Sequence, residues 1–149
     1  MRKLTSKKSS KTIRNSIPVK SEYATDTNAL VLRIEKRKLP PRVGEIFEQI
    51  EIGKVQLTIP LMVLVEVGYL SEGGRIETTI RGVRDYQRLH PTVSFLPITE
   101  EVVDSAYQID DIPELHDRLI AGTAKLLNRE LLSNDPIIAA SKHVVTKWK

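Results

Sequence analysis

From Ser21 onward, short apolar runs alternate with stretches whose apolar residues recur at helical spacing. That alternation predicts βαβ units, and hence a parallel sheet with helices packed on it. Strands are expected at 23–25, 55–59, 93–96, 131–133 and 143–148. Helices are expected at 28–38, 42–52, 75–89, 100–108 and 113–128, with Pro40 and Pro41 stopping the first, Gly53 the second, and Thr99 capping the fourth. The run 61–70 fits either state: Val63, Val65 and Val67 favour a strand, whereas Pro60 before it and its length favour a helix. In such a sheet the C-terminal ends of the strands lie along one edge, where open α/β folds bind ligands.

Four acidic residues sit against this apolar pattern. Asp26 closes a predicted strand, Glu66 is the one charge in an apolar run, and Asp135 follows another strand. Asp117 shares a helix face with Ile120, Ala121 and Ala124 at i+3, i+4 and i+7, the side that packs. Each has an ordinary structural explanation: an N-cap for Asp26, a turn for Asp135, a first-turn helix acid for Asp117, a buried arginine partner for Glu66. Asp111 and Glu114 already suffice as caps for the Asp117 helix, which makes a third acid there harder to dismiss. Asp85, Asp104 and Asp110 lie in polar surroundings and carry no such signal. Carboxylates gathered out of bulk water stay ionised only if a cation neutralises them. Convergence of the four would therefore predict a hard, oxygen-binding divalent ion, Mg²⁺ or Mn²⁺, and metal-assisted attack of water on a phosphodiester.

Composition narrows the alternatives. The chain of 149 residues contains no cysteine, which removes thiolate catalysis, disulfides and sulfur-based zinc sites. Its three histidines, His90, His116 and His143, show no metal-ligand spacing. No long uncharged apolar stretch or signal-like N-terminus is present, so the sequence predicts a cytoplasmic protein with no membrane association. The net charge of +4 is uneven: residues 1–21 hold seven basic residues and no acid, leaving 16 basic against 19 acidic residues in 22–149. The first segment, rich in serine and threonine, is expected to be an unfolded basic tail, and 22–149 a single domain. Arg81, Arg84 and Arg88 recur on one predicted helix face, where they either track an RNA backbone or form a solvated face.

The stretches Tyr23-Ala-Thr-Asp26-Thr-Asn28-Ala-Leu30, Pro60-Leu-Met-Val-Leu-Val-Glu66-Val, Ile112-Pro-Glu-Leu-His-Asp117-Arg-Leu-Ile-Ala121 and Leu131-Leu-Ser133-Asn-Asp135 together resemble the PIN-domain family, and most of all its VapC-like toxin ribonucleases. The resemblance runs from about Tyr23 to Trp148. It implies a three-layer α/β/α sandwich around a central parallel sheet of four to five strands, and an acidic pocket that binds Mg²⁺ or Mn²⁺ to cut RNA. Asp26, Glu66, Asp117 and Asp135 fall on the family's acidic positions: the three aspartates as ligands directly or through water, Glu66 as a ligand or an orienter of water. Asn28 and Ser133 fall on polar positions beside the pocket. The resemblance further implies a homodimer and a small antitoxin partner that occupies the active-site groove.

Three features depart from the pattern: Pro136 directly after the last acid, Gly122 where alanine is commoner, and the basic tail. A haloacid-dehalogenase-type phosphatase would need a second aspartate at position 28, which is asparagine. A phosphoreceiver would need an acid pair near its start. A PIN-like scaffold that binds RNA or protein with a weak pocket is the remaining alternative.

Overall fold

The computed structural model describes residues 21–149; residues 1–20, on which the expected basic tail falls, lie outside the described residues. Five strands form one parallel sheet in the order β3-β2-β1-β4-β5, with β1 (Glu22–Thr25), β2 (Gln56–Pro60), β3 (Val93–Leu96), β4 (Glu130–Leu132) and β5 (Thr146–Lys147). The helices α1 (Thr27–Ile34), α2 (Pro41–Glu51), α3 (Leu61–Glu72), α4 (Ile80–Leu89), α5 (Glu100–Tyr107), α6 (Leu115–Leu127) and α7 (Pro136–Ala139) connect the strands and flank the sheet, giving the expected three-layer α/β/α sandwich. After their first residue, β1 and β2 are buried throughout, as strands covered on both faces must be. Leu57, Ile59, Leu131, Ile46, Phe47 and Ile120 are among the side chains that close the core.

The chain adds β2 and β3 on one side of β1 and then returns to add β4 and β5 on the other. The switch in direction falls between β1 and β4, whose register pairs Thr25 with Leu132. Where strand order reverses, the flanking connections diverge and leave a crevice at the carboxyl ends of the strands. Asp26 and Ser133, the residues that follow that pair, stand at its floor.

Several elements differ from the sequence expectation for identifiable reasons. Helix α1 ends at Ile34, short of Pro40, because Lys36 takes a left-handed conformation with φ of 56° and Arg37 N–H returns to the Leu32 carbonyl at 2.8 Å. The Glu35 carboxylate then accepts from the Glu77 and Thr78 N–H groups at 3.0 and 2.9 Å and from Thr78 Oγ1 at 2.7 Å. These bonds hold 75–79 out of helical geometry, so α4 begins only after its N-cap, Thr79. The ambiguous run is helix α3, entered from Pro60 at a φ of −57°. Strand β5 pairs only two residues, since the preceding chain is turned around Asp110 and Asp111. Gly122 has a packing reason: a Cβ there would meet Ala106 Cα and N of α5 at 2.8 Å, and Ser105 Oγ donates to the Gly122 carbonyl at 2.8 Å.

Candidate functional site

The four acids singled out in the sequence share one cavity of about 320 Å³, lined by Asp26, Thr27, Asn28, Glu66, Asp117, Ile120, Asn134 and Asp135. The described residues lining it include no lysine or arginine. Three of the carboxylates stand at helix N-termini. Asp26 is the N-cap of α1, its Oδ1 accepting from Ala29 N–H at 2.8 Å. Asp117 lies in the first turn of α6, and Asp135 is the N-cap of α7, its Oδ1 accepting from Ile137 and Ile138 N–H at 2.8 and 3.1 Å. Partial positive charge at a helix N-terminus favours a carboxylate, so the fold offsets part of the repulsion it creates. Pro136, which restricts Asp135, is the first residue of α7, a position where its fixed φ and missing N–H fit.

Ser133 ties two of the acids together. Its hydroxyl donates to the Asp26 carboxylate and its Oγ accepts from Asp135 N–H at 3.1 Å. Asn28 is exposed at the cavity wall. Glu66 comes from the middle of α3 rather than from a strand end, and among the described residues no arginine pairs with it. It accepts a hydrogen bond from Thr27 Oγ1, and His116 Nδ1 stands 3.5 Å from its Oε2.

Electrostatics follow from this crowding. Burial pushes the Asp26 carboxyl up to about 6 against the hydrogen bonds from Ser133 and Ala29, with the Asp135 and Glu66 charges adding to the rise. Asp117, only half buried, is likewise pushed up to about 6, first by desolvation and then by the charges of Asp135, Glu114, Glu66 and Asp26. Strongly raised carboxyls facing one another in a cleft mark a site that a cation would relax.

Sequence reasoning missed Thr27, His116, Asn134 and Ile120 in or beside this cavity. Thr27 and His116 each adjoin one of the four acids in sequence, a signal that adjacency alone could have supplied. His116 was set aside for want of ligand spacing, and its relation to Glu66 emerges only in three dimensions. Of the two caps expected for α6, Glu114 alone serves, accepting from Asp117 N–H at 2.8 Å. Asp111 instead accepts from Ser141 Oγ at 2.7 Å and Lys142 N–H at 2.8 Å. With Asp110, whose Oδ1 lies 2.9 Å from His143 Nε2, it forms a clamp that fastens the chain before β5. The potential ligand atoms of Asp110, Asp111 and His143 lie within 4.8 Å of one another, so Asp110 and His143 are less isolated than the sequence implied. Arg81, Arg84 and Arg88 do not line the acidic cavity, and Arg88 pairs with Asp85 at 2.6 Å on the surface of α4.

Among the described residues no helix is long and apolar enough to cross a membrane. A family model described as PIN domain matches residues 23–142. No curated protein matches the chain by sequence. Among solved structures the chain is similar to VapBC2 from Rickettsia felis bound to a DNA fragment from its promoter, at 18% identity over 86% of this chain and 99% of that one, with a TM-score of 0.65. It is also similar to DNA-bound VapBC from Salmonella typhimurium, at 16% identity over 85% and 96% of the two chains and a TM-score of 0.63. FitAcB from Neisseria gonorrhoeae matches at 21% identity over 84% and 96%, with a TM-score of 0.55. At these identities the likeness is one of fold.

Proposed function

The chain belongs to the PIN-domain family, and from that membership we propose that it is a divalent-metal-dependent endoribonuclease, the toxin of a toxin-antitoxin pair. The observation that carries the reading is the cavity in which Asp26, Glu66, Asp117 and Asp135 meet with no lysine or arginine among its lining residues. An all-oxygen, strongly anionic donor set suits Mg²⁺ or Mn²⁺ and offers nothing to a softer ion.

In this proposal Asp26, Asp117 and Asp135 hold the ion, directly or through water, and Glu66 holds it or orients water beside it. When bound, the ion supplies charge neutralisation at the phosphodiester and a more acidic water. The chain's own residues do the rest. Ser133 donates to the Asp26 carboxylate and Thr27 to that of Glu66, and these bonds restrain the two acid side chains. Asp26 caps α1, Asp117 lies in the first turn of α6 and Asp135 caps α7, so the backbone N–H groups of these helix starts help to position the three carboxylates. Asn28, on the open wall, is placed to hydrogen-bond a nucleotide entering the cavity.

The likeness of fold to the VapBC structures supports an antitoxin partner, and the homodimer rests on the family resemblance alone. The test is cleavage of a mixed RNA pool by the purified protein in Mg²⁺ or Mn²⁺, with EDTA and Asp117→Asn as controls. Cutting that both controls abolish supports the reading. Intact RNA, together with no metal binding by calorimetry, would replace it with a non-catalytic scaffold.

A further inference from the structure

Strand β5 lies at the edge of the sheet and pairs only two residues, yet it borders the end of β4 from which part of the acidic site hangs. Leu131 pairs with Thr146 and Leu132 with Lys147. Leu131 N–H donates to the Val145 carbonyl at 2.8 Å, and Ser133 N–H to the Lys147 carbonyl at 3.3 Å. So short a strand specifies its own register weakly, and its few backbone bonds gain little against the entropy of ordering the segment. Val144 is buried, which keeps the segment on the core, but apolar contact is non-directional and leaves its position along β4 free.

The bonds that fix that position come from the loop before α6. Asp111 Oδ1 accepts from Ser141 Oγ at 2.7 Å and its Oδ2 from Lys142 N–H at 2.8 Å. Asp110 Oδ1 lies 2.9 Å from His143 Nε2, and His143 N–H donates to Ser141 Oγ at 3.0 Å. Residues 141–143, shortly before β5, are thus tied to two adjacent carboxylates.

We propose that Asp110 and Asp111 are positioning residues of the acidic site: by latching 141–143 they set β5 against β4, and β4 in turn sets Ser133, Asp26 and Asp135. The inference rests on the metal-nuclease reading above and adds a source of order outside the cavity, which neither residue lines.

Each link in the path is a directional bond. Ser133, 1% exposed, stands where β4 ends. Its N–H is held by β5, its hydroxyl donates to the Asp26 carboxylate, and its Oγ accepts from Asp135 N–H at 3.1 Å. Asp26 N–H donates to the Leu132 carbonyl at 3.1 Å, so the backbone of the first acid also takes its place from β4. A slip of β5 would release the Ser133 N–H in a buried setting with no water to replace the bond, and the bonds to Asp26 and Asp135 would shift with it. Metal–oxygen distances are set to within about 0.2 Å, so a small displacement of one carboxylate weakens the whole donor set. The 110–111 loop also leads into α6 and Asp117, a second route by which it could act.

The test joins amide hydrogen exchange of the full chain in EDTA to Mn²⁺ titration by calorimetry. Asp111→Ala is expected to raise exchange at Ser133 and Asp135 about tenfold more than at amides shared by β1 and β2. Glu51→Gln, which removes a bonded carboxylate remote from β5, controls for lost stability and should raise exchange evenly. Asp111→Asn keeps an acceptor for Lys142 N–H and offers a donor to Ser141 Oγ, and should restore protection. In calorimetry Ser133→Ala should weaken Mn²⁺ binding about tenfold and Asp111→Ala about fivefold, with the double variant no worse than Ser133→Ala alone. Exchange at Ser133 and Asp135 that rises no more in Asp111→Ala than in Glu51→Gln overturns the proposal. So do losses of affinity that multiply in the double variant, which would route the effect through α6 and Asp117. If the wild type neither binds Mn²⁺ nor cuts RNA, the nuclease reading fails, and the exchange result alone decides whether the latch orders Ser133 and Asp135.

Discussion

Two carboxylates in this molecule, Glu51 partly buried and Asp26 buried, have opposite fates. Glu51, at the end of α2, accepts from Arg33 Nε at 2.8 Å, from Arg33 Nη2 at 2.6 Å and from Tyr86 Oη at 2.8 Å. Burial alone would raise its pKa, but the hydrogen bonds from Arg33 and Tyr86 outweigh it and hold the carboxyl below its ordinary value. Asp26 is more deeply buried, faces other acids, and is pushed up to about 6. The first charge is compensated within the chain and joins α1, α2 and α4. The second is left uncompensated, and a fold keeps such a site only if something from outside completes it. The distinction between a structural and a functional buried acid therefore lies in who supplies the countercharge.

That contrast can be broken in four places. The largest effect is expected on catalysis, where Asp117→Asn should reduce RNA cleavage by at least about a hundredfold, while Glu51→Gln leaves the rate per folded molecule unchanged. Similar losses from both would erase the comparison. Next is the response to metal. Mn²⁺ at about a hundred times its dissociation constant should stabilise the protein by about 2.7 kcal/mol in thermal or urea unfolding, and Asp26→Asn should remove most of that gain. Third, in EDTA at neutral pH the same two acids should respond with opposite sign. Glu51→Gln should cost about 2 kcal/mol by breaking a charge-assisted network, whereas Asp26→Asn, which keeps a capping oxygen, should gain about 2 kcal/mol by removing an unpaired buried charge.

The smallest effect is the shape of stability against pH without metal. Because Asp26 and Asp117 have raised values, the folded state binds more protons than the unfolded one between about 4 and 6, so their contribution falls as pH rises through that window. Glu51, with a lowered value, contributes stability above its ordinary pKa that is lost as pH falls through the folded value. In urea titrations across pH, the loss of stability on going from about pH 4 to 6 should shrink when Asp26→Asn is introduced. A profile that does not change would place the cost of burial elsewhere.

The acidic half of the comparison was legible in the sequence because it violates local patterning. An acid closing an apolar run, or standing on a packing face, is a conflict that can be read from neighbours along the chain. The strand order was less so: periodicity gave strands and helices, but the position of β4 beside β1 depends on pairing Thr25 with Leu132, a contact between distant segments. The Glu51 network was invisible for the same reason, since Arg33 and Tyr86 are ordinary polar positions on separate helices until packing brings them together. Helix α7 was missed because four residues carry no period, although Asp135 followed by Pro136 is an N-cap and first-position signal. The Arg81, Arg84 and Arg88 row stood out in sequence because helical spacing is easy to see.

The place of the site at the reversal of strand order also sets a schedule. Asp26 follows the first strand described here, and Asp135 follows the fourth, after β2 and β3 have already been added on the other side. A ribosome delivers roughly 5–20 residues per second, and the amino-terminal strands emerge first. Until β4 has left the exit tunnel and paired with β1, the acids have no common cavity. A growing chain thus lacks the assembled cavity until β4 has taken its place beside β1.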